Sequence, residues 1–284
     1  MGYDTLMNRM NQVNRINRLY EKGKAMKILV CVKQVMEGES PVRVHDSGKW
    51  ICPSASARFE MNPFDTYAVE EALLIRENVP GTLVHAITVG PESGLDTLRR
   101  ALGMGADEAV HILDTGTGYR PPFLTASWIA AYARGKGYDL ILTGIMSADE
   151  MNGQTGPMIA QGLSIPCASA VLYEKTGPDR THISIEREIE GGARDMFEVA
   201  LPCVLTLQTG INAPRYPSLS MVLRARKKEI TVIPAGVFVD QEPGLRLHSL
   251  HSPQKQRKGI LLEGTMEEKA KQLMDILAQK ALLT

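Results

Sequence analysis

The residues with the clearest chemical potential lie between Leu140 and Pro157, in the sequence LILTGIMSADEMNGQTGP. An apolar strand runs here into a loop of small and polar residues, and a helix follows. Gly144 lets a ligand come close to the backbone. The side chains after it offer hydroxyl, carboxylate and amide groups: Ser147, Asp149, Asn152, Gln154 and Thr155. Amides at the start of the helix can bind phosphate, helped by the helix dipole, so the stretch predicts a loop that cradles an adenine nucleotide.

The same loop matches neither of two common phosphate-binding patterns, GxxxxGK[ST] and GxGxxG. A loop rich in glycine, asparagine and aspartate is also typical of a simple turn, so residue chemistry alone leaves both interpretations open. No pair of nucleophile and base stands out. The four cysteines, Cys31, Cys52, Cys167 and Cys203, are widely spaced and lack histidines at zinc-ligand spacing. They predict buried, reduced thiols and no metal site.

The charge balance argues against partners that bind through a strong overall field. The chain has 32 basic and 32 acidic residues, so nothing in its net charge attracts nucleic acid or an anionic membrane. No apolar run reaches the length of about 18 residues that a membrane-spanning helix needs, and we expect no direct membrane insertion. The cysteines predict a reducing compartment, and we expect a cytoplasmic protein in a bacterium, or one of the mitochondrial matrix in a eukaryote.

Alternating strands and helices begin after an N-terminal extension, residues 1–25. Apolar runs rich in β-branched residues predict buried strands at 27–35, 82–91, 108–113 and 138–143. Apolar stripes predict helices at 63–78, 94–103 and 123–135. Asn62 precedes the first of these helices, either as a plain N-cap or as a ligand contact. This rhythm predicts an α/β fold with a doubly wound, mostly parallel, Rossmann-like sheet of the adenine-nucleotide-binding type.

The second half of the chain adds an insertion and an arm. A small hairpin is predicted earlier, at 42–53, from its DSG turn. Strong alternation then predicts two antiparallel strands, 181–189 and 195–200, and a core strand at 203–207. We therefore expect a nucleotide-binding domain over residues 26–235. Residues 236–284 form the predicted C-terminal arm, whose amphipathic helix at 266–281 would pack on a partner subunit.

Ligands of an open α/β sheet bind outside the carboxyl ends of the strands, near the point where strand order reverses. Three segments converge there in the predicted topology: Cys31 to Val35, Thr88 to Pro91, and Gly144 to Thr155. Together they make a nucleotide pocket the preferred interpretation.

Seven motifs occur in the order and spacing seen in the beta (small) subunit of electron-transfer flavoproteins. They are VCVKQV, MNPFDTYAVEEAL, ITVGP, ALGMGADEAVHI, LILTGIMSADEMNGQTGP, IEREIEGGARDMFEVALPCVLT and NAPRYPSL. The chain resembles this family over residues 26 to 235, and its tail resembles the family's C-terminal arm. The run IEREIEGG, followed by LPCVLT and then PRY, is the most specific part of the resemblance.

The resemblance implies a heterodimer with a larger alpha subunit, which holds most of the redox-active FAD, and an AMP buried in this chain. It implies an electron carrier, in which the cofactor supplies the chemistry. Carried over position by position, the AMP contacts would be Cys31, Asn62, Asp65, Val89, Gly144, Asp149, Glu150, Met151, Asn152, Gly153, Gln154 and Thr155. The loop that docks an acyl-CoA dehydrogenase-type donor would be Gly191, Gly192, Ala193, Arg194, Asp195 and Met196. A quinone-linked oxidoreductase would accept the electrons downstream.

Two alternatives stay open. Some members of the family bifurcate electrons and hold a second FAD in place of AMP, with a DGDTxQVGP-like loop; this chain has Thr155 where valine would stand, which favours AMP. Gly38 stands where the family often places an aromatic residue against the flavin. A free-standing nucleotide sensor is the other alternative, and the missing glycine-rich triphosphate loop and the added arm argue against it.

Overall fold

The computed structural model describes residues 25–38, 40–48, 50–116, 118–177, 179–238, 244–252 and 259–280. Of the N-terminal extension predicted for residues 1–25, only Ala25 lies within the described residues. In this part of the chain, no helix is both long enough and apolar enough to cross a membrane.

Strands and helices alternate through most of the chain. The strands are β1 (Lys27–Cys31), β2 (Gln34–Met36), β3 (Val42–Val44), β4 (Ile51–Pro53), β5 (Phe59–Met61), β6 (Leu83–Gly90), β7 (Glu108–Leu113), β8 (Leu140–Gly144), β9 (Cys167–Thr176), β10 (His182–Glu188), β11 (Arg194–Ala200), β12 (Cys203–Leu207) and β13 (Thr231–Pro234). The helices are α1 (Pro63–Asn78), α2 (Gly94–Met104), α3 (Pro122–Ala133), α4 (Thr155–Leu163), α5 (Leu219–Lys227) and α6 (Met266–Gln279).

One nine-stranded sheet organises the fold, in the order β11-β10-β9-β12-β8-β1-β6-β7-β13. Its neighbouring strands run parallel except where β10 meets β9 and β11. The chain passes from β1 outward to β6 and β7, then crosses back to place β8 on the other side of β1. The strand order therefore reverses between β1 and β8. The predicted doubly wound, mostly parallel α/β fold is confirmed.

The central strands are buried on both faces, as continuous apolar runs predict. In β1, Ile28 and Val30 belong to a core cluster with residues of α1 and α2, such as Leu73. Leu29 and Cys31 belong to a second cluster with residues of α3 and α4, such as Trp128. This two-residue alternation is the normal geometry of a strand, and it places one helical layer on each side of the sheet.

The two predicted hairpins are present. Strands β3 and β4 pair antiparallel with Val44 opposite Ile51, within the predicted span of 42–53. Strands β10 and β11 pair antiparallel up to Glu188 opposite Arg194, so the insertion predicted around Gly191 is confirmed at the edge of the main sheet.

The structure also differs from the sequence expectations. The single strand expected at 27–35 breaks into β1 and β2, because the Lys33 amide donates to the Asp65 side chain, at 2.7 Å, instead of joining a strand ladder. Strands β5, β9 and β13 were not predicted. Strand β9 begins directly after Pro166, and its bulge at Ala170, with φ of 60°, interrupts regular alternation.

The chain divides into two compact units between Leu250 and His251. Helix α6 lies in the second unit and begins with a capping box, in which the Thr265 and Glu268 side chains bond each other's backbone amides. None of the residues of α6 is buried. The domain boundary predicted at 235 and 236 stays a prediction.

Candidate functional site

A cavity of about 600 Å³ opens at the carboxyl end of the sheet, beside the reversal between β1 and β8. The ends of β1, β6 and β8 form its floor through Cys31, Val89 and Gly144. This volume falls in the usual range for small-ligand sites, about 300 to 1,000 Å³.

The structure brings together nearly all the residues predicted to contact a nucleotide. Those that line the cavity are Cys31, Asn62, Asp65, Val89, Gly144, Asp149, Glu150, Asn152, Gly153, Gln154 and Thr155. Met151 is the exception: its side chain is 67% exposed, and its φ of 53° is left-handed. The structure thus gathers these residues at one cavity, while their role in binding stays a prediction.

Asp65 joins the two strands that border the reversal. Its Oδ2 accepts a hydrogen bond from the Lys33 amide, at 2.7 Å, and its Oδ1 accepts one from the Gly144 amide, at 3.1 Å. Burial raises the pKa of the Asp65 carboxyl to about 7, although the bonds from the Lys33 and Gly144 amides and from Asn62 favour the charged form. A buried carboxyl therefore fixes the floor of the cavity.

Gly144 allows α1 to start against the end of β8. A Cβ at this position would lie 2.6 Å from Asp65 Oδ1 and 2.6 Å from Phe64 Cβ. Atoms do not approach that closely, so any larger residue would push α1 away from the strand. Gly156 is similar, because its Cβ would lie 2.5 Å from Thr206 Cγ2. Helix α4 can therefore begin directly over the sheet.

Asn62 precedes α1, but its side chain makes no capping hydrogen bond. Its Nδ2 donates to the Met146 carbonyl oxygen at 2.9 Å, and its Oδ1 accepts from the Ala148 amide at 3.0 Å. The plain N-cap interpretation is wrong at this position. Asn62 instead fixes the beginning of the loop that follows β8.

Lys33 is a cavity residue that the sequence prediction missed. Its Nζ lies 2.8 Å from Asp149 Oδ1, 2.9 Å from Glu150 Oε1 and 3.3 Å from Ser147 Oγ. Burial lowers the pKa of Lys33, but the Glu150 and Asp149 carboxylates outweigh that effect and raise it. Burial likewise opposes ionisation of Asp149, yet Lys33 lowers its pKa. The sequence placed Lys33 within the converging segment Cys31 to Val35, but inside a predicted strand, and it did not single this side chain out as a contact.

Helix α4 directs its first turn at the cavity. Thr155 and Gly156 line the cavity, and the preceding Gln154 makes no side-chain cap. The first amides of a helix lack partners within the helix, and the helix dipole makes this end attractive to anions. The arrangement suits a phosphate or another small anion.

Apolar residues from β2 to β5 contribute a further part of the cavity wall: Met36, Trp50, Ile51 and Phe59. Trp50 also contacts the ring of Tyr119, with centroids 5.6 Å apart. A planar ring would find contact area on this wall. The cavity therefore combines an apolar side with an anion-accepting end.

The described lining residues include two cations, and each has an acidic partner. Lys33 pairs with Asp149 and Glu150, and Arg120 pairs with Asp114. Arg120 also donates to the Gly116 carbonyl oxygen at 3.1 Å. A phosphate in this cavity would thus depend on backbone amides and neutral polar side chains for most of its contacts.

The residues predicted to dock a donor lie apart from the cavity, and none of them lines it: Gly191, Gly192, Ala193, Arg194, Asp195 and Met196. They form the turn between β10 and β11 and the first residues of β11. Gly191 and Gly192, in the turn, adopt left-handed φ values of 77° and 74°. Met196 is 73% exposed. Arg187 Nη2 lies 3.0 Å from Asp195 Oδ2, and this ion pair joins the two strands close to the turn of the hairpin.

Within the described residues, no group of three or more histidine, cysteine or acidic side chains is placed to hold a metal ion. All four cysteines are free thiols, and Cys31 and Cys203 are buried as predicted; the prediction is wrong for the exposed Cys167 and the half-buried Cys52. Burial raises the pKa of the Cys31 thiol, with a further contribution from Asp65. Cys31 is therefore held as a neutral thiol in the cavity floor.

Comparison with known proteins gives one consistent family. The model of the family described as "Electron transfer flavoprotein domain" matches residues 50–237. The chain is 36% identical over 245 residues to "Electron transfer flavoprotein subunit beta, mitochondrial" of Oryza sativa subsp. japonica, covering 85% of this chain and 95% of the relative. It is 33% identical over 261 residues to "Electron transfer flavoprotein subunit beta" of Bacillus subtilis, covering 90% and 99%. For the Bos taurus protein of the same name, identity is 32% over 249 residues, covering 87% and 96%.

Proposed function

The chain belongs to the electron transfer flavoprotein family, and from that premise we propose that it is a beta subunit that binds AMP in the cavity between β1 and β8. The observation that carries this proposal is the convergence of the predicted contacts, from four separate segments, on one cavity of about 600 Å³. Asp65 accepts a hydrogen bond from the Gly144 amide, and Asn62 holds Met146 and Ala148. A turn without function would not require these contacts.

The residues present fit a nucleoside monophosphate. The phosphate would lie at the start of α4, where the amides of Thr155 and Gly156 and the side chains of Asn152 and Gln154 are in reach of the cavity. The absence of an unpaired cation among the described lining residues suits one phosphate better than a chain of three. The AMP would have a structural role, because no acid–base pair of the described residues is placed to act on it.

Electron transfer requires a partner subunit in this proposal. The chain would complete the FAD site of a larger alpha subunit, and that FAD supplies the redox chemistry when bound. Residues 236–284 would form the arm that packs on the alpha subunit. Helix α6 supports this part, since it exposes the apolar side chains Met266, Leu273 and Met274, at 82%, 46% and 53%.

The β10–β11 hairpin is the proposed contact for an acyl-CoA dehydrogenase-type donor, with a quinone-linked oxidoreductase downstream. Its exposed Met196 offers an apolar anchor, and the Arg187–Asp195 ion pair beside the turn would hold the loop in a defined shape. We place the protein in the cytoplasm of a bacterium, or in the mitochondrial matrix of a eukaryote, as part of the same proposal.

A second FAD in place of AMP is the competing candidate, and one observation favours it. The apolar wall formed by Met36, Trp50, Ile51 and Phe59 could support a flavin ring beside the adenine site. Thr155 at the start of α4 argues for AMP, as in the family pattern without bifurcation. The two candidates differ in flavin stoichiometry, which is directly measurable.

Co-expression with an alpha subunit tests the heterodimer. The proposal expects the two chains to co-purify as a yellow complex with a flavin absorption spectrum. A stable, colourless monomer that never associates with a flavoprotein subunit would contradict it. Structural change driven by ATP in the isolated chain would point to a sensor domain instead.

A further inference from the structure

Lys33 reaches the cavity in a fixed position. Its backbone amide is bound to Asp65 Oδ2 at 2.7 Å, and its Nζ contacts three side chains of the loop that joins β8 to α4. We call residues 147–154 the rim loop. Lys33 is 116 residues away from Asp149 in the sequence, so these contacts link β1 to the rim loop at the carboxyl end of the sheet.

The rim loop carries its acidic groups close to the anion-accepting end of the cavity. Asp149 and Glu150 precede the start of α4 by only a few residues, and both line the cavity. Without a cation beside them, two carboxylates would repel a phosphate at the start of the helix. Arg120 is already paired with Asp114. Among the described lining residues, Lys33 is therefore the group that offsets this charge.

We propose that Lys33 is a positioning residue for the nucleotide, which neutralises Asp149 and Glu150 and holds the rim loop without touching the phosphate itself. This inference rests on the proposed AMP site. Its chemical basis is that all three acceptors of Lys33 Nζ are side chains of the rim loop, so its charge is already engaged. The phosphate is left to the amides at the start of α4.

Direct contact between Lys33 and the phosphate is the alternative role, and charge removal distinguishes the two. If Lys33 acts by neutralisation, removing its charge weakens AMP binding only while the two carboxylates are present. If Lys33 binds the phosphate directly, removing the carboxylates cannot replace it. A set of variants in the intact heterodimer therefore separates the roles.

The experiment compares AMP binding by calorimetry after bound nucleotide has been removed from each heterodimer. Lys33→Gln should weaken AMP binding about fivefold to tenfold, the size expected for one uncompensated charge near a phosphate. The effect should shrink at high salt because exposed charges are screened. Lys33→Arg keeps the charge and should stay within about twofold of the wild type. Lys227→Gln removes an equal charge from α5, at a residue that does not line the cavity, and should not change AMP binding.

The decisive variants also remove the carboxylates. Asp149→Asn with Glu150→Gln is the reference for this comparison, and adding Lys33→Gln to that pair should weaken AMP binding by no more than about twofold relative to the double variant. A triple variant that binds AMP about fivefold or more weakly than the double variant would overturn the inference, as would unchanged binding by Lys33→Gln in the wild-type background. Thermal unfolding without nucleotide identifies a variant that has merely lost its fold. A wild-type heterodimer that binds no AMP would refute the proposed function itself.

Discussion

Two carboxyl groups that no functional role uses meet between α1 and β9. The Glu71 side chain on α1 and the Glu174 side chain on β9 are hydrogen-bonded to each other. Burial, the nearby charge of Glu71 and the bond to Glu71 raise the pKa of Glu174 to about 8, from a usual 4.5. Burial also raises the pKa of Glu71, although Asn212 Nδ2 donates to Glu71 Oε2 at 2.7 Å. Two adjacent carboxyls of this kind share a proton.

The sign of the effect on stability follows from proton binding. Between the usual pKa and the raised one, the folded state holds a proton that the unfolded chain has released. The free energy of unfolding should therefore fall as pH rises through about 4.5 to 8. One extra proton corresponds to about 1.4 kcal/mol per pH unit. Because Glu174 is only partly buried, we discount this slope. We expect the free energy of unfolding to fall by about 1 to 2 kcal/mol between about pH 5.5 and 7.5.

Glu174→Gln should remove most of this pH dependence, because the amide keeps a hydrogen bond to Glu71 and cannot ionise. The assay is urea unfolding at a series of pH values, with the free energy obtained by linear extrapolation. At about pH 7.5 the variant should be more stable than the wild type by about 1 to 2 kcal/mol, and near pH 5 the two should agree. Glu198→Gln, at an exposed position of β11, is the matched control and should keep the wild-type slope. An unchanged slope in Glu174→Gln would refute the shared proton.

Three further predictions concern the cavity and the hairpin. Gly144→Ala should destabilise the protein by about 1 to 3 kcal/mol and reduce its nucleotide content, because the new Cβ would overlap the start of α1; a normal melting temperature would contradict the close packing. Asn62→Ala should cost about 1 to 3 kcal/mol and weaken AMP binding, since it leaves the Met146 carbonyl oxygen and the Ala148 amide without their partner; unchanged binding and stability would show that water replaces the side chain. Replacing residues 193–196 with glycine and serine should slow electron transfer from the donor dehydrogenase while flavin content is kept, and a loss of flavin in that variant would count against docking.

The sequence predicted the fold well where patterns are local. Strand β7 and helix α1 have the predicted bounds, because a buried strand and a helix opened by Pro63 each carry a complete signal in a few consecutive residues. Strand β13 was missed, since its four residues are recognisable only through their parallel pairing with β7. Strand β9 was missed because it begins directly after Pro166 and contains a bulge.

The site was predicted mainly from the resemblance, with the general position supplied by topology. Residue chemistry suggested the loop after β8, but it could not distinguish a ligand loop from a turn. Lys33 escaped notice because its role depends on carboxylates 116 and 117 residues further on. The sequence left Asn62 open between an N-cap and a ligand contact, and only the fold shows that its side chain holds Met146 and Ala148. Contacts of this range are set by tertiary structure, which no local pattern encodes.

The central claim is that the cavity beside the reversal of strand order holds AMP. The most direct test is to release the ligands of the purified wild-type heterodimer with acid and to identify them by chromatography and mass spectrometry. The proposal predicts one FAD and one AMP for each heterodimer. Two FAD and no AMP would contradict it and favour the bifurcating alternative, and a heterodimer with FAD alone would show that the cavity has no resident nucleotide.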